Sequence, residues 1–118
     1  MTRTPPPYEI NPPQYLLARA ERAHQQAKRS LRDTIVGVKR EMAERTEWTT
    51  QARLDVATAV RYGGLHDPAT ARAIRHANAV EDATEWCAED GERHIRYARH
   101  AVDTAARRLT EAREAASR

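Results

Sequence analysis

The sequence predicts an all-α protein: a long antiparallel two-helix hairpin with a coiled-coil-like, Ala-rich seam, completed to a four-helix bundle by dimerisation. Three observations carry that expectation. Helix breakers are nearly missing from two long stretches, a tight stop-and-restart signal lies between them, and small or apolar residues recur at steps of three and four along both.

The composition agrees with helix rather than disorder. Of the 118 residues 22 are Ala, Leu, Ile and Val together number 16, and Phe does not occur. Scarce large aliphatics signal disorder only when net charge is also high, and here the formal charge is +3. Ala, Arg, Glu and Gln lose little side-chain entropy in a helix. Arg outnumbers Lys by 18 to 2, a bias that with the Ala content points to a GC-rich coding genome, such as that of a high-GC bacterium or a phage infecting one. A chain of this length builds one core, or half of a shared one.

Residues 1–12 are expected to form an extended arm, because Pro5, Pro6 and Pro7, with Pro12 and Pro13 after them, remove backbone donors and push their predecessors out of the α region. Residues 13–118 are the hairpin: helix 13–62, turn 63–67, helix 68–117. Asn11 is placed to cap the first helix, where prolines are tolerated in the opening turn. Gly63 and Gly64 supply a left-handed stop, with Leu65 positioned for the apolar contact that accompanies such a stop. Asp67 then caps a helix whose first residue is Pro68. Each arm is about 48 residues, roughly 70 Å of helix, and so short a turn implies an antiparallel return. A break at Asp90–Gly91, giving a three-helix bundle, is the structural alternative.

In the first helix the seam reads Leu17, Ala20, His24, Ala27, Leu31, Thr34, Val38, Met42, Thr49, Ala52, Val56 and Ala59, with Arg45 as a charged interruption. In the second it reads Ala77, Val80, Thr84, Cys87, Gly91, His94, Ala98, Ala101, Ala105, Leu109, Ala112 and Ala116. Two successive four-residue steps around Val38 and Met42 unwind it locally. Pairing Arg61 with Pro68 sets facing residue numbers to a sum of about 129, a condition that Gly37 and Gly91 meet within one residue. The two glycines are therefore expected to face each other at a close-contact or bend point.

Trp48 and Trp86 each precede a seam residue and so lie beside the seam. Two helices alone cannot cover such rings, so Trp48, Trp86, Ile35, Ile74 and Ile95 are expected to point toward a second copy.

Patterns for chemistry are weak. Glu21 and His24 have the spacing of half a bundle di-metal site, but the positions expected to face them are Ala105, Ala106, Arg107 and Arg108. No pair among His66, His76, His94 and His100 has the i, i+4 spacing of helical zinc sites. Ser occurs only at positions 30 and 117, and a lone Cys87 reads as a small buried hydrophobe. The expectation is a protein that is not an enzyme and takes no metal, cofactor or small-molecule substrate.

Two PPxY matches, Pro5 to Tyr8 and Pro12 to Tyr15, fit recognition of a polyproline ridge by WW-type domains. Charge is uneven: the stretch from Arg19 to Arg40 and the facing stretch from Arg93 to Arg108 are basic, while Glu81, Asp82, Glu85, Glu89, Asp90 and Glu92 are acidic. A basic open end of the hairpin offers Arg22, Arg29, Arg93, Arg96 and Arg107 to nucleic-acid phosphates. Alternatively, the basic and acidic zones of neighbouring subunits pair. No stretch is apolar enough for a membrane span, and nothing resembles a secretory signal, so a cytoplasmic address is expected. The functional expectation is a helical protein–protein interaction or assembly protein, with a nucleic-acid-binding accessory protein as its alternative.

Overall fold

The computed structural model describes residues 3–6, 9 and 11–118. It is an all-α helical hairpin: α1 spans Pro12–Gly63 and α2 spans Pro68–Ala116, and no strand occurs among the described residues.

Both helix starts are built as their residues predict. Asn11 Oδ1 accepts from the Gln14 amide at 3.3 Å, so Pro12 and Pro13 fill positions whose missing N–H costs nothing. Helix α1 thus begins one residue before the expected boundary and includes the second PPxY match. With Pro12, Pro13 and Tyr15 all helical, that match presents no polyproline ridge. In the first match Pro7 and Tyr8 lie outside the described residues. Within the arm, the Glu9 amide donates to the Pro6 carbonyl at 2.9 Å.

At the corner, Gly64 takes a positive φ of 79° and its amide donates to the Val60 carbonyl at 2.9 Å, the left-handed stop that glycine permits without a Cβ penalty. A Cβ on Gly63 would collide with the Asp67 side chain. Asp67 Oδ1 accepts from the Ala69 amide at 2.8 Å, capping α2 ahead of Pro68. Thr70, which the periodicity did not single out, is the closing piece. Its side chain is fully buried and its Oγ1 donates to the Gly64 carbonyl at 2.7 Å. Leu65, expected to make the apolar contact of the stop, is 70% exposed, and the buried side chain of the corner is Thr70.

Helix α2 is continuous through Gly91, so the three-helix alternative is excluded. One interior glycine costs a helix only about 1 kcal/mol, too little to end one that is packed along its length.

The chain divides into two compact units, Ile35–His94 and Met1–Thr34 with Ile95–Arg118. In the first, which contains the corner, Ala52 and Ala77 are buried and the predicted seam positions from Val38 to Ala59 are half-buried or better. Gly91 is buried, and a Cβ there would stand 2.7 Å from Val38 Cγ1. Gly37 has open space around it, so the two glycines do not meet: Gly91 is the close-contact point and Gly37 is a surface residue. Thr49 and Thr84 bring their hydroxyls to 3.2 Å and Arg53 pairs with Glu81 at 2.6 Å. Both contacts lie about one helical turn from the register expected from an Arg61–Pro68 pairing. The offset is local, because Val38 and Gly91 keep the expected pairing.

In the second unit Leu109 is the buried apolar anchor, with Leu17, His24, Leu31, Ala98 and Ala105 half-buried. Two expected seam positions of α2 are corrected. His94, at the end of the first unit, and Ala101 are exposed, whereas Ile95 and Val102 are half-buried. After Gly91 the seam advances by four residues and takes in the larger aliphatics, so α2 carries the same pair of four-residue steps as α1.

Candidate functional site

The charged seam residue shows how the corner-containing unit accommodates polarity. Arg45 is half-buried, its guanidinium lies 5.1 Å from the centre of the Trp48 ring, and it reaches Glu41 at 3.9 Å. The aliphatic stem covers the seam while the charge stacks on the indole and escapes to solvent. Trp48 is consequently held on the surface, 53% exposed, and Trp86 is 59% exposed.

The Arg53–Glu81 pair serves to locate these rings. Trp48 lies five residues before Arg53 and Trp86 five after Glu81, which in antiparallel helices is the same direction along the unit. Five residues turn each helix by about 140° in the same sense. Both indoles are therefore carried together to the side opposite the Arg53–Glu81 pair. Ile74 stays on the other side, lining a shallow concavity with Arg53, Val56 and Glu81. Ile35 is half-buried and lies about 140° around α1 from Trp48. Ile95 is half-buried in the seam of the other unit. Of the five residues expected to form one interface, Trp48 and Trp86 share a side of the corner-containing unit, Ile35 and Ile74 do not lie on that side, and Ile95 belongs to the other unit.

Besides Arg45 over the Trp48 ring, acidic residues neighbour both tryptophans along their helices. Glu44 precedes Trp48 by one turn, and Asp82, Glu89 and Asp90 flank Trp86 at the spacing of helical neighbours. Asp90 is engaged by Arg93 at 3.4 Å and by His94 Nδ1 at 3.5 Å, so Arg93, one of the expected phosphate contacts, is already paired with a carboxylate.

The other unit is basic: it contains twelve Lys and Arg against six Asp and Glu, a formal +6, while Ile35–His94 contains eight against eleven, a formal −3. It carries two concave surfaces that sequence periodicity did not mark. One, of about 570 Å³, is lined by Arg22, Lys28, Arg29 and Arg113 around Glu21 and His24. Arg22 and Arg29 also line a smaller hollow with Gln26, Ser30 and Asp33. Arg96 and Arg107 are exposed but line neither. The other surface is an open groove of about 700 Å³ with a floor of Leu16, Ala20, Ala23, Ala27, Ala101 and Ala105. Its charged lining residues are Arg19 and Arg108, with His100 beside them. Leu16 is 52% exposed.

The Glu21–His24 pair faces Leu109 and Arg113, a hydrophobe and a cation that supply no ligand to a metal. Among the described residues no group of three His, Cys, Asp or Glu side chains is placed to hold a metal ion, and no helix is long and apolar enough to cross a membrane. Cys87 is half-buried in the seam with a free thiol. Compared with known proteins, the chain matches no family model, no curated protein and no solved structure.

Proposed function

We propose that this protein is a non-enzymatic helical assembly protein whose working form contains at least two copies of the chain. The observation that carries the reading is the surface it leaves uncovered. The structure exposes 9325 Å², whereas a compact monomer of 13.4 kDa exposes roughly 6,500 Å². The excess, roughly 2,800 Å², surpasses the roughly 800 Å² per partner that a standard interface covers. It is matched by a buried apolar core of Ala52, Ala77 and Leu109 and by exposed Leu16, Trp48, Leu54, Ile74 and Trp86. The Ala-rich, coiled-coil-like seam lets two helices approach closely but buries little area per residue. Pairing with a second hairpin into a four-helix arrangement supplies the rest. The Arg and Ala bias supports a source in a high-GC bacterium or its phage, with a cytoplasmic address.

Sedimentation or light scattering across a wide range of protein concentration tests this. A mass of two or more chains is expected, and a monomer mass that does not change with concentration overturns the reading.

A second reading rests on the basic hollow lined by Arg22, Lys28, Arg29 and Arg113: a nucleic-acid-binding accessory role, with phosphates held by side chains that converge on one concave surface. Retention on DNA that collapses between low and moderate salt supports it, and failure to bind DNA at low salt removes it.

A further inference from the structure

The exposed indoles and the apolar groove answer each other. Trp48 and Trp86 share one side of an acidic unit, and the groove belongs to a basic unit. The groove's floor is made of small and aliphatic side chains and its rim of Arg19 and Arg108. A ring needs a recess whose lining leaves it room, and five alanines leave that room. A ring beside carboxylates needs cations at the edge of the recess, and the groove has them.

Building on the assembly reading, we propose that the occupant of the groove is a second copy of this chain: Trp48 and Trp86 of one copy seat on the Leu16, Ala23, Ala27, Ala101 and Ala105 floor of another, with Glu44, Asp82 and Glu89 opposite Arg19 and Arg108. The contact joins unlike surfaces, so every copy carries both halves of it. Charge complementarity sets the register, because like surfaces repel: the Trp-bearing edges of two copies bring carboxylates together, and two grooves bring guanidinium groups together. Aromatic anchors in a desolvated recess, ringed by charge pairs, are the arrangement that concentrates binding energy at protein interfaces.

The test is a charge swap on the full chain. One variant carries Arg19→Glu and Arg108→Glu, the other Glu44→Lys, Asp82→Lys and Glu89→Lys; all five positions are exposed, and circular dichroism checks that helix content is kept. Each variant alone is expected to associate at least about tenfold more weakly than the parent. Mixed in equal amounts they are expected to recover parental association, since every acidic edge then finds a basic groove and the reverse. Trp48 and Trp86 are the sole tryptophans, so a blue shift of tryptophan emission reports their burial directly. If the parent associates but both variants associate equally well, or the mixture is no better than either alone, or emission does not shift, the proposed contact is wrong while the assembly reading stands. If the parent is monomeric at every concentration, both fall.

Discussion

Gly91 presents a bare Cα to Val38, so close that a methyl group added to it would stand 2.7 Å from Val38 Cγ1. Thirteen residues along the facing helix from Val38, Gln51 and Asp55 share nothing but a surface hydrogen bond at 3.0 Å. The tolerance of this hairpin to change therefore varies sharply with side of helix, and its two interior glycines separate the two cases.

Gly91→Ala gains helix propensity of about 1 kcal/mol but forces a β-branched, conformationally stiff neighbour to move, and overpacking of that kind costs about 1–3 kcal/mol. Gly37→Ala has open space around it and keeps the propensity gain. Thermal unfolding is expected to show Gly37→Ala above the parent Tm and Gly91→Ala below it. Equal shifts of the same sign would contradict the packing described for Gly91.

At the corner, Gly64→Ala places a Cβ on a backbone with φ of 79°, a conformation that costs L-residues about 1–2 kcal/mol. Thr70→Val keeps the shape of a fully buried side chain but removes the donor to the Gly64 carbonyl, a loss of about 1–2 kcal/mol. Thr70→Ser retains the donor and is expected to recover most of that loss. Urea titration of the three variants, read as midpoint shifts at constant slope, checks the order; a Thr70→Val midpoint equal to the parent's would show the hydroxyl to be idle.

Thr49 and Thr84 form a polar layer in which two hydroxyl protons serve three short contacts. Thr49 Oγ1 also lies 3.0 Å from the Arg45 carbonyl, and Thr84 Oγ1 2.8 Å from the Val80 carbonyl. Replacing one threonine by valine leaves the other able to donate to its own helix. Each single change is expected to cost less than about 1 kcal/mol, and the double valine variant to equal or exceed the parent in stability, because both polar partners are then gone. A double-mutant cycle measures the coupling, and a double variant less stable than the sum of the singles would refute this account.

The Arg53–Glu81 ion pair is short, 2.6 Å, but its side chains are 68% and 40% exposed. Solvent screening limits such pairs to about 0–1 kcal/mol. Arg53→Ala is expected to leave Tm within a few degrees of the parent, and raising salt should not lower the parent's stability appreciably. A large loss on either count would mean that the pair orients the helices rather than decorating them.

The helix starts and stops were legible because each is written in a few adjacent residues: Asn11 before Pro12, Gly63 and Gly64, and Asp67 before Pro68 act on their own backbone whatever lies around them. The seam of α1 was legible too, since a repeat at threes and fours selects one face of a helix without reference to a partner. The tryptophans fall beside the seam by the same rule.

What only the tertiary structure decided is how the second helix meets the first. The choice between His94 and Ile95, or between Ala101 and Val102, depends on where a drifting 3.6-residue period is reset, and that reset follows contact across the hairpin rather than spacing within one helix. Thr70 reaches back to Gly64 to close the corner, and the Thr49–Thr84 and Arg53–Glu81 contacts fall about a turn from the expected pairing. Gly91 nevertheless meets Val38, as the expected register places it, and the one-residue difference from Gly37 is a matter of which side of α1 faces α2. The same holds for the surfaces of interest: local spacing places Trp48 and Trp86 off the seam, but which side they share, and the groove rimmed by Arg19 and Arg108, exist only once two antiparallel helices rotate into contact. Interactions between neighbours in sequence are written in sequence; those between residues brought together by the fold are set by the packing that brings them there.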